Sequence, residues 1–193
     1  MRKTSESNRM LSNGNYRKLQ TEELQRISVE EYKQSEKHPI VVVLDNIRSA
    51  SNVGSAFRTG DSLRIESVYL CGISCVPPNK ELQKTALGAQ LSVPWKYYKD
   101  TIEALNELRA QGYEIVSVEQ AENSTMLQDF KVVDGKKYAF VFGNEVHGVA
   151  DDVIAASDIC LEIPQYGTKH SFNVSVTCGI VLWDVVKQMR FKR

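Results

Sequence analysis

The chain contains only four cysteines among 193 residues, and their spacing excludes the common cysteine-based sites. Cys71 and Cys75 form an isolated C-x-x-x-C, whereas Cys160 and Cys178 lie in apolar runs. A structural zinc site needs paired cysteines or histidines, and a disulfide framework is typical of small secreted chains. We therefore expect four reduced cysteines without a metal or redox role.

The sequence also lacks long apolar segments and an excess of charge. It has no run of 18 apolar residues, and the amino-terminal MRKTSESNRM lacks the apolar middle that a signal peptide needs. We therefore expect a cytoplasmic protein without a membrane span. The formal net charge is zero, which argues against a generic basic protein that binds any nucleic acid.

The charges are nevertheless distributed unevenly along the chain. Residues 1–20 carry a net charge of +4 and the last seven residues another +4, so the 166 residues between them carry −8. Basic ends on an acidic body can steer a polyanion toward one face of a protein. Ordinary solubilising termini explain the same charges equally well.

Alternating strand and helix patterns indicate an α/β fold. Apolar runs typical of strands buried on both faces are IVVVLDN, SVYLCG, EIVSVE, YAFVFGN and DICLEIP. Helical patterns lie between them at NVGSAFRTGDSL, PNKELQKTALG and DTIEALNELRAQG, the last with Asp100 as its cap and Gly112 as its stop. We predict a helical, partly basic arm over residues 1–38. Residues 39–193 then form one domain, a mainly parallel sheet covered by helices.

Three polar loops that carry glycine follow predicted strands. They are DNIRSASN, GNEVHG and IPQYGTKHS, and because ligands of open parallel sheets bind beyond the carboxyl ends of the strands, they outline a cleft. In the first loop Asn52 can cap the following helix, and Arg58 lies within that helix, from which it can reach back toward the cleft. For Arg58 alone, a surface salt bridge is the default interpretation. The second loop places Glu145 between two glycines.

Motifs of several other α/β enzymes are missing. The sequence contains no G-x-G-x-x-G, no G-x-S-x-G nucleophile elbow and no Walker loop with its Lys-Ser/Thr pair. His147 as a catalytic base or metal ligand, and His170 with Ser171 as a hydrolase pair, remain minor alternatives.

Together the three loops resemble the motifs of the SpoU/TrmH family of RNA 2′-O-ribose methyltransferases, in the trefoil-knotted SPOUT class. The matching segments are NIRSASNVGSAFR, FGNEVHG and IPQYGTKHSFNVSV, in this order. The resemblance covers about residues 39–190. It implies a deep C-terminal knot, a homodimer, S-adenosyl-L-methionine as cofactor and tRNA or rRNA as substrate. The alternative is a non-catalytic α/β module that binds RNA or nucleotides.

The resemblance also implies roles for residues of the three loops. The cofactor-binding positions are Gly143, Ile163 and Phe172, the last standing where many relatives carry Leu. The catalytic positions are Asn52, Arg58, Glu145, Ser171 and Asn173. Because arginine is normally always protonated, Arg58 is expected to position a phosphate and stabilise charge on the ribose oxygen, while the other four orient Arg58 and the ribose. No metal is needed, and the basic ends are expected to grip the RNA backbone.

Overall fold

Seven strands form one sheet in the computed structural model, which describes residues 16–191, and every pairing between neighbouring strands is parallel. The strand order across the sheet is β3-β2-β1-β6-β4-β7-β5. The strands are β1 (His38–Asp45), β2 (Ile65–Cys71), β3 (Trp95–Tyr98), β4 (Tyr113–Val118), β5 (Thr125–Met126), β6 (Lys137–Phe142) and β7 (Ile159–Glu162). The predicted parallel sheet is therefore confirmed.

Helices cover both faces of this sheet, as predicted. They are α1 (Val29–Gln34), α2 (Ala50–Ser62), α3 (Lys80–Ala86), α4 (Ala89–Ser92), α5 (Thr101–Ala110), α6 (Asp151–Ala155) and α7 (Val174–Arg190). The predicted ends of α5 are confirmed. The Asp100 carboxylate accepts a hydrogen bond from the Ile102 amide at 2.7 Å, and Gly112, which follows the helix, has a φ of +83°.

The interior strand β1 shows why the buried strands appear in the sequence as continuous apolar runs. Ile40, Val42 and Leu44 belong to a core that includes residues of α2 and α7, whereas Val41 and Val43 belong to a second core with α5 and α6. Successive side chains of a strand point to opposite faces, so a strand covered on both sides is apolar at every position. Burying each such side chain contributes roughly 1.5–3 kcal/mol.

The strand order determines where a ligand can bind. β1 pairs with β2 on one side and with β6 on the other, so the chain's progression across the sheet changes direction beside β1. In open parallel sheets the crevice at such a switch point lies outside the carboxyl ends of the strands. The loops after β1, β6 and β7 are the three polar loops of the sequence.

The structure corrects the predicted cap of α2. Ser49, not Asn52, is the capping residue, because the Ser49 hydroxyl accepts a hydrogen bond from the Asn52 amide at 3.3 Å. Asn52 lies in the first turn of the helix, and its side chain is therefore available for a contact outside the helix.

The predicted helical leader is less continuous than expected. Between residues 16 and 38 it forms a short 3-10 turn at Thr21–Leu24 and the six-residue α1. Tyr32 is the buried residue of α1, and its hydroxyl donates to the Ile65 carbonyl at 3.1 Å. The end of the leader therefore packs on the domain, whereas each of residues 16–28 is exposed.

The four cysteines lie within the described residues, and none of them is paired. Burial raises the pKa of the Cys71 and Cys178 thiols to about 12, so both are protonated and unreactive at neutral pH. No helix among residues 16–191 is both long and apolar enough to cross a bilayer.

Candidate active site

A cavity of about 650 Å³ opens at the carboxyl ends of β4, β6 and β7. The predicted residues Gly143, Ile163 and Phe172 line this cavity, as do Glu145, Ser171 and Asn173. The other lining residues are Val118, Glu119, Gln120, Phe142, Asn144, Val146, His147, Gly148, Val149, Asp151, Ile154, Leu161, Gln165, His170, Val174 and Thr177. The lining thus combines apolar side chains with polar groups, and its volume is in the range of small-molecule sites.

Glu145 joins the second loop to the start of α2. One carboxylate oxygen accepts from the Arg48 amide at 2.9 Å, and the other accepts from the Ser49 amide at 3.0 Å and from the Asn52 side-chain amide at 2.8 Å. Burial opposes the charge, but these hydrogen bonds together outweigh it and hold the pKa of Glu145 below its usual value. At neutral pH Glu145 is therefore an ionised acceptor and not a proton donor.

Asn173 extends this network to the third loop. Its side-chain amide donates to the Asn52 side-chain oxygen at 3.2 Å, and its own oxygen accepts from the Ser175 amide at 2.9 Å and the Ser175 hydroxyl at 2.6 Å. Asn173 is thus both the cap of α7 and a wall of the cavity. Glu145, Asn52 and Asn173, which we call the polar network, are distant in sequence but form one chain of hydrogen bonds.

The second loop is held in a tight turn by Asn144, a residue to which the sequence assigned no role. Its backbone exchanges two hydrogen bonds of 2.8 Å with Gly148, and its side-chain amide donates to the Asn46 carbonyl at 2.7 Å. A Cβ atom at Gly143 would lie 2.1 Å from the Val149 nitrogen. Only glycine fits at position 143, because the backbone returns directly past it.

Glu119, at the end of β4, is a second lining residue that sequence reasoning missed. One carboxylate oxygen accepts from the Gln120 amide at 2.8 Å and the other from the Val149 amide at 2.9 Å. Its position directly after the apolar run EIVSV was the available signal. Through its hydrogen bond with the Val149 amide, Glu119 links the second loop to the end of β4.

The third loop, which precedes α7, forms one wall of the cavity. The Gln120 side chain donates to the His170 carbonyl at 2.6 Å, which fixes the loop beside Ser171. The Ser171 side chain is exposed and forms no hydrogen bond with residues 16–191. Phe172 lines the cavity but leaves 43% of its surface exposed. Both side chains are thus available to a ligand.

Arg58 stands apart from the other predicted residues. It lies on the exposed side of α2 and does not line the cavity. Within the described part of the chain, its side chain forms neither a hydrogen bond nor an ion pair. The predicted reach of Arg58 into the cleft of its own chain is therefore not observed.

Two further observations define the chemistry that the site can perform. A second, open cavity of about 370 Å³ is lined by Arg48, Ser49 and Glu145 and thus shares Glu145 with the first cavity. Among residues 16–191 there is no group of three or more His, Cys, Asp or Glu arranged to hold a metal ion. The fold and site thus define an α/β protein whose switch-point cavity is bordered by an ordered network of amides and one carboxylate.

Known proteins specify this class further. Residues 39–183 match the SpoU rRNA Methylase family, and the chain therefore belongs to that family. It is 28% identical over 153 residues to a tRNA (guanosine(18)-2′-O)-methyltransferase of Borreliella burgdorferi, covering 78% of this chain and 67% of that protein. It is 30% identical over 154 residues to the 23S rRNA (guanosine-2′-O-)-methyltransferase RlmB of Neisseria meningitidis, covering 80% of this chain and 60% of that one.

Solved structures share the fold. A TrmH/SpoU tRNA modifying enzyme of A. aeolicus aligns with a TM-score of 0.74 and 24% identity, covering 85% of this chain and 83% of that one. An AdoMet-bound rRNA methyltransferase from Sinorhizobium meliloti aligns with a TM-score of 0.72 and 24% identity, covering 86% and 62%. The chain thus spans between 60% and 83% of the length of these four relatives.

Proposed function

We propose that this protein transfers a methyl group from S-adenosyl-L-methionine to the 2′-hydroxyl of a ribose in tRNA or rRNA. The observation that carries the proposal is the polar network of Glu145, Asn52 and Asn173, which borders the cavity in a member of the SpoU family. The alternative, a non-catalytic module that binds RNA or nucleotides, is not favoured, because relatives of this family are named as methyltransferases.

The cavity fits the cofactor in size and chemistry. Phe172 and Ile163 offer apolar surface to an adenine ring, and the tight turn at Gly143 brings backbone groups close to a ligand. When bound, S-adenosyl-L-methionine supplies the methyl group, activated by its sulfonium. Glu145 is not free to donate a proton, because its oxygens accept hydrogen bonds from the Arg48 and Ser49 amides, whereas Glu119 holds the Gln120 and Val149 amides in place.

The protein's own residues would act by positioning and by charge. A ribose hydroxyl is a weak nucleophile at neutral pH, so it must be held in line with the transferred methyl group. The Arg58 guanidinium would hold the neighbouring phosphate and stabilise negative charge on the ribose oxygen. Ser171 and Asn173 would orient the ribose, with Glu145 fixing Asn52 and hence Asn173. The second cavity beside Arg48 offers the RNA an approach to this rim.

We further propose that the protein is a homodimer, with the substrate lying across both subunits. Val176 and Trp183 are each about half exposed on α7, and Gly179 between them has open space where a Cβ would lie. These positions recur at helical spacing and offer an apolar stripe for a second helix. α2, which carries Arg58, packs against α7, and we propose that a partner seated on this stripe brings its own cavity within reach of Arg58. In such a dimer, Arg58 of one subunit acts at the cavity of the other subunit.

Three other expectations remain proposals. β7 inserts between β4 and β5, which both precede it in the chain, and this order supports a C-terminal knot. The domain boundary at residues 38 and 39 agrees with the start of β1 at His38. The unpaired cysteines and an RNA substrate favour the cytoplasm.

Ligand-induced thermal stabilisation tests the cofactor assignment. S-adenosylhomocysteine should raise the unfolding temperature in a concentration-dependent way, because it binds the folded state alone, and NAD should not. Stabilisation by NAD, or none by S-adenosylhomocysteine up to millimolar concentration, would contradict the proposal.

A further inference from the structure

A histidine and three basic residues lie at the amino-terminal end of β1, on the edge of the sheet opposite the cavity. The Arg190 guanidinium donates from Nε to His38 Nε2 at 3.0 Å, and the His38 amide donates to the Arg64 carbonyl at 2.9 Å. Lys37 directly precedes His38. We call Lys37, His38, Arg64 and Arg190 the basic cluster. It joins the end of α7, the turn before β2 and the start of β1.

The cations of the basic cluster have no carboxylate partners. Within residues 16–191 none of Lys37, Arg64 and Arg190 forms an ion pair. Lys37 donates to neutral carbonyls, among them that of Ser35 at 2.6 Å. Burial first, and then the charges of Arg190 and Arg64, lower the pKa of His38, so the imidazole is neutral at pH 7 and accepts from Arg190. The local potential is thus positive.

The basic carboxyl-terminal residues of the chain follow the cluster directly in the sequence. Arg190 is the last residue of α7 and is followed within three residues by Lys192 and Arg193. Glu36 and Glu66 are the carboxylates whose charges reach His38 and Lys37, and they offset only part of this charge.

We propose that the basic cluster binds phosphates of the RNA backbone at a second contact point far from the cavity. The inference rests on the proposed function, since it concerns the same RNA. The eight residues of β1 separate the two edges of the sheet by about 26 Å at a rise of about 3.3 Å per residue. The protein thus holds the body of a structured RNA as well as the nucleotide that it methylates.

The salt dependence of RNA binding tests this contact. The double variant Arg64→Gln, Arg190→Gln is compared with wild type for binding to unfractionated tRNA between about 50 and 200 mM salt. Each lost phosphate contact lowers the log–log slope by roughly 0.7–0.9, so wild type should lose about tenfold more affinity than the variant over this range. The matched control, Lys80→Gln, Lys99→Gln, removes two exposed charges elsewhere and should keep the wild-type slope.

Binding of S-adenosylhomocysteine separates failure of this inference from failure of the proposed function. A double variant that binds the cofactor product normally, yet keeps the wild-type salt slope, would overturn the second contact point. Equal slopes in the double variant and the control would do the same. A wild-type protein that fails to bind S-adenosylhomocysteine would instead contradict the proposed function. If the double variant does not fold, Arg190→Gln alone, in the exposed last turn of α7, should show half the change in slope.

Discussion

At the scale of single residues, the carboxylate of Glu145 organises the candidate site. Its two oxygens accept three hydrogen bonds, from the amides of Arg48 and Ser49 and from the side chain of Asn52. A carboxylate with this many donors is held ionised, which makes it a poor general base and a good anchor. We therefore propose that Glu145 is a positioning residue that acts through Asn52 on Asn173.

The variant Glu145→Gln tests this role. A glutamine offers one oxygen and places an NH₂ group against a backbone N–H, so Asn52 loses its fixed orientation. We expect kcat for methyl transfer to fall by about 100-fold, the scale of a misplaced reacting group, with cofactor affinity nearly unchanged. Steady-state kinetics and calorimetry with S-adenosylhomocysteine measure the two quantities. Glu122→Gln, the same change at an exposed position, should behave as wild type, and a Glu145→Gln enzyme of normal kcat would refute the anchoring role.

Arg58→Ala tests the assignment of the residue outside the cavity. We expect methyl transfer to fall by about 10²–10³-fold, as when an electrostatic donor to a transition state is removed, with unchanged binding of S-adenosylhomocysteine. Arg58→Lys keeps the charge but not the planar fork and should recover only part of the rate. Loss of cofactor binding in Arg58→Ala would show that the guanidinium serves the cofactor and not the ribose.

At the scale of single elements, the strands that could be predicted from the sequence are the ones buried on both faces. β1 and β6 were predictable because both faces of each are buried, which leaves a continuous apolar run. β3 is exposed at the edge of the sheet and β5 has two residues, so neither produces such a run. The cap of α2 was ambiguous in the sequence because Ser49 and Asn52 both have side chains that can cap a helix. In the structure Ser49 caps the helix, and the Asn52 side chain instead donates to the distant Glu145.

The anchoring of α5 to the edge strand should depend on pH. The Glu107 carboxylate accepts from Lys96, from the Tyr98 hydroxyl at 2.5 Å and from the Tyr69 hydroxyl at 3.1 Å. The hydrogen bonds from Lys96 and Tyr98 lower the pKa of Glu107 to about 2. Since the folded-state pKa is lower than the unfolded value near 4.5, this stabilisation is present above pH 4.5 and is lost as the pH falls toward 2.

Glu107→Gln should therefore destabilise the protein at pH 7 by about 1 kcal/mol, a small value because the group is partly exposed and screened. Urea unfolding at pH 7 and at pH values between 4.5 and 2 measures the difference from wild type, which should shrink as the pH falls. Glu103→Gln on the same helix has no such partners among the described residues and serves as the control. A difference that grows toward acid would contradict this account of Glu107.

Two truncations separate the packing of the leader from its charge. Removing residues 1–27 deletes basic residues that include Arg17 and Lys18 but spares α1 and its cap Ser28, so it should lower the salt slope of RNA binding with little change in unfolding temperature. Arg2, Lys3 and Arg9, the other candidates for RNA contacts, lie outside the described residues. Removing residues 1–37 also deletes the buried Tyr32 and should lower the unfolding temperature by several degrees. An unchanged salt slope in both truncations would leave the leader with a packing role alone.

At the scale of the whole molecule, the strand order assembles the site. The ends of β1, β6 and β7 lie at one edge of the sheet, so three loops that are distant in sequence meet there. The loops after β6 and β7 line the cavity, and the loop after β1 is joined to them through Asn52. The order of motifs along the chain predicted this meeting. It could not predict the isolation of Arg58 or the contact between Arg190 and His38, because both depend on how remote helices pack.

The identity of the methylated atom tests the central claim most directly. The protein is incubated with isotopically labelled S-adenosyl-L-methionine and unmodified tRNA or rRNA, and the RNA is then digested to nucleosides for mass spectrometry. The proposed function predicts that the label appears on the ribose of a nucleoside, as a 2′-O-methyl group, and that Arg58→Ala slows its appearance by about 10²–10³-fold. A label found on a base, or RNA that stays unlabelled with protein that binds S-adenosylhomocysteine, would contradict it.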